Sequence, residues 1–402
     1  MITREFIRRI PKTDLHLHLG GSLRLGTLIE LARQEKVELP SYEEAGLKET
    51  VFKAQYGNLQ EYLHGFRYTC AVLNSPEHLE RVACELAEDN IAEGVRYVEI
   101  RFAPQIYIRE GLTAEQVVRA VAEGARRAQK CHNQSDAVRS GRDLPFEFGI
   151  IVCAMRTFNE QTGEYYRHLF GSAVRAPKKE VFAAASLEIA REAVALRDEQ
   201  GLPVVGFDLA GEEAGYPAAN HMAAYAYAHR HFLKKTVHAG EAYGPESIFQ
   251  AITDCHANRI GHGTFLFATD LIHNPSIRNP ARYVEQLAEY IASQRIAIEV
   301  CLTSNLQTSP KLVSVERHPL VHMLEHGLSV TICTDNRLVS NTSVCRELGL
   351  VAENFPVTTH QFRNVILAGF KGSFFPGNYT EKRAYVRQAI TLYDSLAREL
   401  TV

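Results

Sequence analysis

The sequence has no marked excess of charge of either sign and no long apolar run. Its 402 residues carry 44 Lys and Arg against 47 Asp and Glu, a net charge of −3, and no block of like charges occurs. Nucleic acids and membrane surfaces attract proteins through clustered charge, so neither is an expected partner. A membrane span needs about 20 consecutive apolar residues, and no stretch approaches that length. We expect a small molecule as the partner.

Signals of secretion and of cysteine-based chemistry are also missing. The first residues, MITREFIRRIP, lack the apolar core of a signal peptide. The eight cysteines form no C-x-x-C pair, and several lie in apolar runs where buried thiols are usual. We therefore expect a cytoplasmic protein.

Short β-rich runs alternate with longer amphipathic helical segments. The runs lie at residues 12–18, 95–103, 146–154, 203–210, 234–240, 257–263, 296–302 and 328–335. This alternation predicts parallel strands joined by helices. A doubly wound open sheet has the same local pattern, but eight strands and the absence of a glycine-rich phosphate loop favour a closed (β/α)8 TIM barrel. We predict one α/β domain over residues 1–402, with insertions and additional C-terminal helices.

Polar side chains collect at the carboxyl ends of these runs. They are His16, His18, Arg101, Asp208, His238, His262, Glu299, Asp335 and Asn336. In a parallel barrel all these ends meet at one mouth, where such enzymes place their chemistry. A connection at residues 156–180, rich in Tyr, Phe and Arg, follows the third run. We predict that it is an insertion over the mouth, serving either as a lid or as a contact in a homo-oligomer.

The first run contains two histidines one residue apart, in DLHLHLGG. Side chains alternate along a strand, so His16 and His18 project from one face and can share a metal ion, although an interior pair without metal fits this segment equally well. His238 in VHAGE and Asp335 in ICTDN end two later runs. Three imidazoles and one carboxylate suit a divalent ion, with zinc the leading candidate and iron, nickel or manganese as alternatives.

Seven segments, taken in order and with their spacing, carry a family signature. They are PKTDLHLHLGGSL, VRYVEIRFAP, FDLAGEE, HAGE, RIGHG, the SN of residues 304–305, and TDN. Together they resemble the adenosine deaminase family of metal-dependent amidohydrolases. The resemblance implies a barrel with one zinc ion that hydrolyses the 6-amino group of adenosine or 2′-deoxyadenosine, releasing ammonia. It makes His16, His18, His238 and Asp335 the zinc ligands.

The resemblance also implies roles in catalysis. Glu241 is expected to donate a proton to N1 of the purine, which makes C6 electrophilic. Its alternative role is that of a partner to a zinc histidine. His262 is expected to act as the base that orients the attacking hydroxide. The ligands Asp335 and His18 are further assigned to catalysis and to substrate binding, respectively.

Base recognition is assigned by the same resemblance. The backbone N–H of Gly211 would meet N3 of the purine, unless this glycine only serves a turn. Tyr62 and Phe66 would line the apolar side of the pocket, although aromatic residues four apart on a helix are often plain core. Asn336 stands where the family usually has an aspartate that contacts N7. Because an amide N–H donates a hydrogen bond, that contact can survive.

Gly20, like Asn336, departs from the family pattern. The family usually has an acidic residue here, near the ribose 5′-hydroxyl. Its loss predicts a pocket with room for a 5′-modified adenosine such as aminodeoxyfutalosine, methylthioadenosine or a nucleotide, as an alternative to adenosine. If the substrate is unmodified adenosine, Ser22 or water would serve its 5′-hydroxyl. Less favoured alternatives are an adenine deaminase, which usually has glutamate at this position, and a non-catalytic nucleoside-binding protein.

Overall fold

Eight parallel strands form a sheet whose order around the molecule follows their order in the chain. The computed structural model describes residues 2–309 and 311–402, so residues 1 and 310 of the predicted domain lie outside the described residues. The strands are β1 (Lys12–His18), β2 (Val95–Phe102), β3 (Glu147–Met155), β4 (Val204–Ala210), β5 (Lys234–Ala239), β6 (Arg259–His262), β7 (Ala297–Val300) and β8 (Ser329–Ile332). Each strand lies within or overlaps one of the predicted runs.

The barrel closes where β1 meets the segment that follows β8. The amide of His18 donates to the carbonyl of Asp335 at 2.8 Å, and the amide of Asp335 donates to the carbonyl of His16 at 2.7 Å. The predicted TIM barrel is therefore confirmed. The last three strands are shorter than predicted, with four residues each. At β6, the left-handed backbone of His262, with a φ of 66°, ends the extended conformation.

Helices surround the barrel, and those between β1 and β8 lie in the connections of successive strands. They are α1 (Arg4–Arg9), α2 (Leu25–Glu35), α3 (Glu44–Thr50), α4 (Leu59–Leu63), α5 (Phe66–Ala71), α6 (Pro76–Ala92), α7 (Ala114–Asn133), α8 (Asp136–Arg139), α9 (Glu164–Ser172), α10 (Lys178–Asp198), α11 (Met222–Arg230), α12 (Pro245–Thr253), α13 (Pro280–Gln294), α14 (Leu302–Thr308), α15 (Leu320–Glu325), α16 (Val344–Asn354), α17 (Thr359–Gly372) and α18 (Tyr379–Glu399). None of them, within the described parts of the chain, is long and apolar enough to cross a bilayer.

Local sequence signals explain where the longer helices begin. Ser75 caps α6 through its hydroxyl, and proline follows at the first helical position. Thr113 and Gln116 form a capping box at the start of α7. The predicted C-terminal helices are present as α16 to α18. The last of them is anchored to the barrel because the Tyr385 hydroxyl donates to the carbonyl of Pro145 at 2.8 Å.

The segment 156–180 follows β3 and contains α9. Its aromatic side chains form a small hydrophobic cluster of their own with the first turns of α10, centred on Phe158, Tyr166 and Phe182. The Tyr166 hydroxyl donates to Gln105, in the connection after β2, at 3.3 Å. The segment thus packs beside the connections at the carboxyl ends of β2 and β3. Its service as a lid or as an oligomer contact stays a prediction, as does the single domain.

Candidate metal centre and active site

Four side chains from three distant parts of the chain converge at the mouth of the barrel. Ligand atoms of His16, His18, His238 and Asp335 all lie within 4.8 Å of one another. The Nε2 atom of His238 is 3.0 Å from that of His16 and 3.1 Å from that of His18. Asp335 Oδ1 is 3.5 Å from both of the latter nitrogens. The structure therefore brings together all four predicted ligands.

Hydrogen bonds beneath the cluster fix the tautomers of two of the imidazoles. His16 Nδ1 lies 2.9 Å from Glu299 Oε2, and His238 Nδ1 lies 3.1 Å from Asp208 Oδ2. A carboxylate only accepts, so each Nδ1 carries the proton and each Nε2 presents a lone pair. Two lone pairs then face each other across 3.0 Å. A cation between them satisfies both, so this donor set fits a divalent ion of the zinc type.

Buried charges hold these two supporting carboxylates in place. The Arg101 guanidinium donates to Asp208 at 3.0 Å and to Glu299 at 2.9 Å, and all three side chains are fully buried. Burial alone would raise the pKa of Asp208, but His238 and Arg101 hold that pKa well below its usual range. Asp208 is therefore favoured as a carboxylate beneath the His238 ring. The sequence placed these residues at strand ends without assigning them this role.

Glu241 and His262 lie beside the ligands, on the connection after β5 and at the end of β6. Glu241 Oε1 is 3.6 Å from His262 Nε2, and both groups lie within 4.8 Å of a ligand atom of Asp335. Burial, together with the charges of Asp335 and Glu213, raises the pKa of Glu241 well above its usual value. Burial lowers the pKa of His262 well below its usual value. The site therefore pairs a protonated carboxyl group with a neutral imidazole.

Asn305 orients the imidazole of His262, a role that the sequence did not assign. Its amide nitrogen donates to His262 Nδ1 at 3.0 Å. With Nδ1 as acceptor, the proton of the neutral ring is on Nε2, the nitrogen that faces Glu241. Among the described residues, this buried Nε2 has no hydrogen-bond partner. The SN motif supplies a second support here, because the Ser304 hydroxyl donates to Asp335 Oδ2 at 2.6 Å.

Backbone conformation at two of these residues is costly and localised. His262 and Asp335 have φ values of 66° and 62°, in the left-handed region that residues other than glycine rarely adopt. Each such residue costs about 1–3 kcal/mol and persists only where its surroundings enforce it. Both residues belong to the predicted site. They are two of the eight described non-glycine residues with positive φ, so this conformation is shared with residues outside the site.

Asn336 and Tyr62 are in direct contact. The Asn336 amide nitrogen donates to the Tyr62 hydroxyl at 2.8 Å, and that hydroxyl also lies 2.7 Å from Ser340 Oγ. The amide packs over the backbone of Gly21, where a Cβ atom would overlap with Asn336 Oδ1. Among the described residues, the second amide N–H of Asn336 has no hydrogen-bond partner. The predicted contact with N7 stays a prediction.

Gly20 does not open a free space in the pocket. A Cβ atom at this position would lie 2.9 Å from the Tyr107 hydroxyl and 3.2 Å from Cys70 Sγ, and 3.5 Å from the ring of Phe66. The missing acidic side chain is therefore replaced by groups from other parts of the chain. The sequence did not reveal this because Tyr107 lies in the connection after β2. The expected room for a 5′ substituent beside Gly20 stays a prediction.

Gly211 follows β4 with a φ of 100°, a conformation that favours glycine. The turn explains the glycine, and the predicted contact of its N–H with N3 of the purine stays a prediction. Two residues later, Glu213 is buried and accepts hydrogen bonds from the connection that carries Glu241. The segment FDLAGEE contains this residue, but a glutamate in a polar turn gives no sequence signal of such a contact.

Comparison with known proteins shows which family this chain is similar to. The family model for adenosine deaminase matches residues 11–390. "Adenosine deaminase 1" of Streptomyces coelicolor is 38% identical over 389 residues, which cover 96% of this chain and 87% of that protein. The adenosine deaminase of Mycobacterium marinum is 36% identical over 377 residues, covering 93% of each chain.

A solved structure shares the same architecture. An amidohydrolase from Burkhoderia ambifaria, crystallised with bound zinc, superimposes with a TM-score of 0.78 at 22% sequence identity. The superposition covers 100% of this chain and 96% of that one. At this identity the likeness concerns the fold.

Proposed function

Because the chain belongs to the adenosine deaminase family of metal-dependent hydrolases that act on C–N bonds, we propose that it converts adenosine and 2′-deoxyadenosine to inosine and 2′-deoxyinosine. One observation carries the proposal. A buried glutamic acid and a neutral histidine lie within 4.8 Å of a ligand atom of Asp335, in the cluster of three histidines and one aspartate. Deamination needs this combination of a metal-activated water and a proton donor.

The metal assigned to this site is zinc. His16, His18, His238 and Asp335 would hold it, since zinc binds neutral imidazole nitrogens and carboxylate oxygens. When bound, the ion lowers the pKa of a water molecule from about 16 towards neutrality and so supplies hydroxide at neutral pH. Asp208 and Glu299 keep the ligand nitrogens of His238 and His16 deprotonated and correctly aimed.

Glu241 supplies the proton, and His262 orients the attacking group. Glu241 holds its proton because burial disfavours the carboxylate, and it gives that proton to N1 of the purine. Protonation at N1 draws electron density from C6, where the hydroxide attacks. His262 faces the same region through Nε2, where it steadies the developing charge and orients the attacking group. The proton of the new C6 hydroxyl group then passes to the amino group, which leaves as ammonia while C6 becomes a carbonyl carbon. The proton released when the water is activated returns to Glu241 for the next turnover.

The contacts around Gly20 favour an unmodified nucleoside over a 5′-modified one. Tyr107, Cys70 and Phe66 surround the position where a side chain at residue 20 would begin. A bulky 5′ substituent that relied on this space would meet them. Adenosine and 2′-deoxyadenosine therefore remain the first candidates, and 5′-modified adenosines the second.

A substrate panel tests the proposal. The absorbance change of 6-amino loss is followed with adenosine, 2′-deoxyadenosine, adenine, AMP, methylthioadenosine and aminodeoxyfutalosine on zinc-loaded enzyme. We expect the highest kcat/KM for the two unmodified nucleosides. A clearly higher value for a 5′-modified substrate or for adenine would overturn the substrate assignment.

The Glu241→Gln variant tests the assigned chemistry. It removes the proton but keeps the shape of the side chain, so zinc content should stay near wild type. Loss of general-acid catalysis should lower kcat by about 10²- to 10⁴-fold. Turnover at the wild-type rate would refute the role of Glu241.

A further inference from the structure

The connection between β5 and α12 is organised around one buried carboxylate. Glu213 accepts hydrogen bonds from four successive backbone N–H groups. Its Oε1 accepts from Gly240 at 2.8 Å, and its Oε2 accepts from Glu241 at 2.9 Å, from Ala242 at 2.6 Å and from Tyr243 at 3.0 Å. The Ser247 hydroxyl, in the first turn of α12, donates to Oε1 as well. Only 3% of Glu213 is exposed.

These contacts satisfy the backbone N–H groups of residues 240–243. Residues 240–243 form no strand or helix, so their N–H groups have no ladder partner. Buried N–H groups need an acceptor, and successive N–H groups that converge on one point form an anion-binding concavity. Here the anion is a side chain of the same chain. Its removal would leave four donors without their acceptor, and the connection would have to move.

Glu241 lies at the centre of this connection. Its own N–H is one of the four donors, whereas its side chain points towards His262, with Oε1 3.6 Å from Nε2. His238, by contrast, lies within β5, where ladder pairing with Gly261 in β6 fixes the backbone. Glu213 therefore acts on the carboxyl group of Glu241 and not on the metal ligand three residues earlier.

We infer that Glu213 is a positioning residue that holds the Glu241 carboxyl group at the reacting end of the substrate. This inference rests on the proposed role of Glu241. The expected consequence is a loss in kcat, because a displacement of about 1 Å in a catalytic group can cost about 10²-fold in rate. Zinc content should stay near wild type, since the four ligands lie on β1, on β5 and directly after β8.

The test compares Glu213→Gln with a neighbouring control. The glutamine keeps the size of the side chain but turns an N–H₂ group towards the backbone donors. We expect kcat for adenosine to fall about 10²-fold, with KM and zinc content little changed. Glu213→Asp keeps the charge on a shorter side chain and should restore part of kcat. Glu212→Gln removes the same charge one residue away, where the carboxylate accepts a hydrogen bond from Gln60 at 2.7 Å, and should behave like wild type.

A double-mutant comparison separates positioning from a general structural role. Glu213→Gln is added to Glu241→Gln, in which no carboxyl proton remains to be placed. We expect the second substitution to lower kcat by less than about threefold there, because residues that act as a unit are not additive. Equal losses in both backgrounds, or loss of zinc in Glu213→Gln, would overturn the inference. Should Glu213→Gln not fold, Glu213→Asp undergoes the same comparison. Wild-type turnover by Glu241→Gln would instead refute the proposed function itself.

Discussion

Asp208 Oδ2 lies 3.1 Å from Nδ1 of His238 and is fully buried beneath the predicted metal centre. The same carboxylate oxygen accepts a hydrogen bond from Arg101 at 3.0 Å. Asp208 thus connects a metal ligand to a buried cation. This arrangement fixes the orientation of the His238 ring and increases its basicity towards a metal.

Asp208→Asn is expected to weaken zinc binding. The substitution removes the negative charge opposite His238 and leaves Arg101 with one anionic partner instead of two. Loss of such a supporting carboxylate typically costs about 10- to 100-fold in metal affinity. Competition with a chelator measures the change. Asp136→Asn is a suitable control because Asp136 is exposed and forms a surface ion pair with Arg139. Equal affinities in the two variants would contradict the prediction.

Gly20→Ala is expected to destabilise the protein through Tyr107. The new Cβ would lie 2.9 Å from the Tyr107 hydroxyl, closer than side-chain atoms normally approach. Overpacking of this kind costs about 1–3 kcal/mol in the free energy of unfolding. Tyr107→Phe removes the hydroxyl oxygen, so the double variant should recover part of that loss. Denaturant unfolding of the two single variants and the double variant measures the coupling. Strictly additive effects would show that Tyr107 does not fill this space.

Gly21→Ala should disturb the placement of Asn336. A Cβ atom at residue 21 overlaps with the Asn336 side chain, which must leave its hydrogen bond with the Tyr62 hydroxyl. We expect a loss of stability of about 1–3 kcal/mol and a raised KM for adenosine. Gly26→Ala is the matched control, because a Cβ at Gly26 meets no atom within 4 Å. Gly26 lies in α2, where alanine should stabilise the helix by up to about 1 kcal/mol. An unchanged KM in Gly21→Ala would contradict the predicted role of Asn336.

Lys12 should make the stability of the protein depend on pH in the alkaline range. Burial lowers the pKa of its ammonium group from 10.5 to about 8. The unfolded chain therefore binds more protons than the folded chain between about pH 8 and 10.5, and the contribution of Lys12 to stability rises with pH in this range. The full change is about 3 kcal/mol.

Comparison with Lys12→Met isolates this contribution. The variant also loses the hydrogen bonds that Nζ donates to the carbonyls of Ile7 and Ile10 at 2.6 and 2.7 Å. That loss shifts the free energy of unfolding at every pH, whereas the titration of Lys12 changes how this free energy varies with pH. Urea unfolding from pH 7 to 10 should show wild type gaining stability relative to the variant. A constant difference across this range would disprove the lowered pKa.

The sequence predicted the barrel well because its signals are local and repeated. Each strand begins and ends within a few residues of its predicted run, and β1 coincides with it. The four ligand candidates were also predictable, since histidine and aspartate at strand ends must meet in a closed barrel. His262 and Glu241 required the family resemblance, because one histidine or one glutamate carries no distinctive spacing.

The contacts that the sequence did not reveal depend on connections between elements. Tyr107 reaches the space beside Gly20 from the connection after β2, and Glu213 reaches residues 240–243 from the connection after β4. Neither contact has a periodic signal, since such loops follow no fixed geometry.

Closure of the barrel through Asp335 has a consequence for the order of events during synthesis. The residue that joins the last strand to the first also supplies a carboxylate to the metal cluster, while His16 and His18 leave the ribosome early. A nascent chain therefore carries an incomplete set of donors until nearly its whole length has been made. Closure of the sheet and completion of the donor set therefore both wait for the synthesis of the same residue.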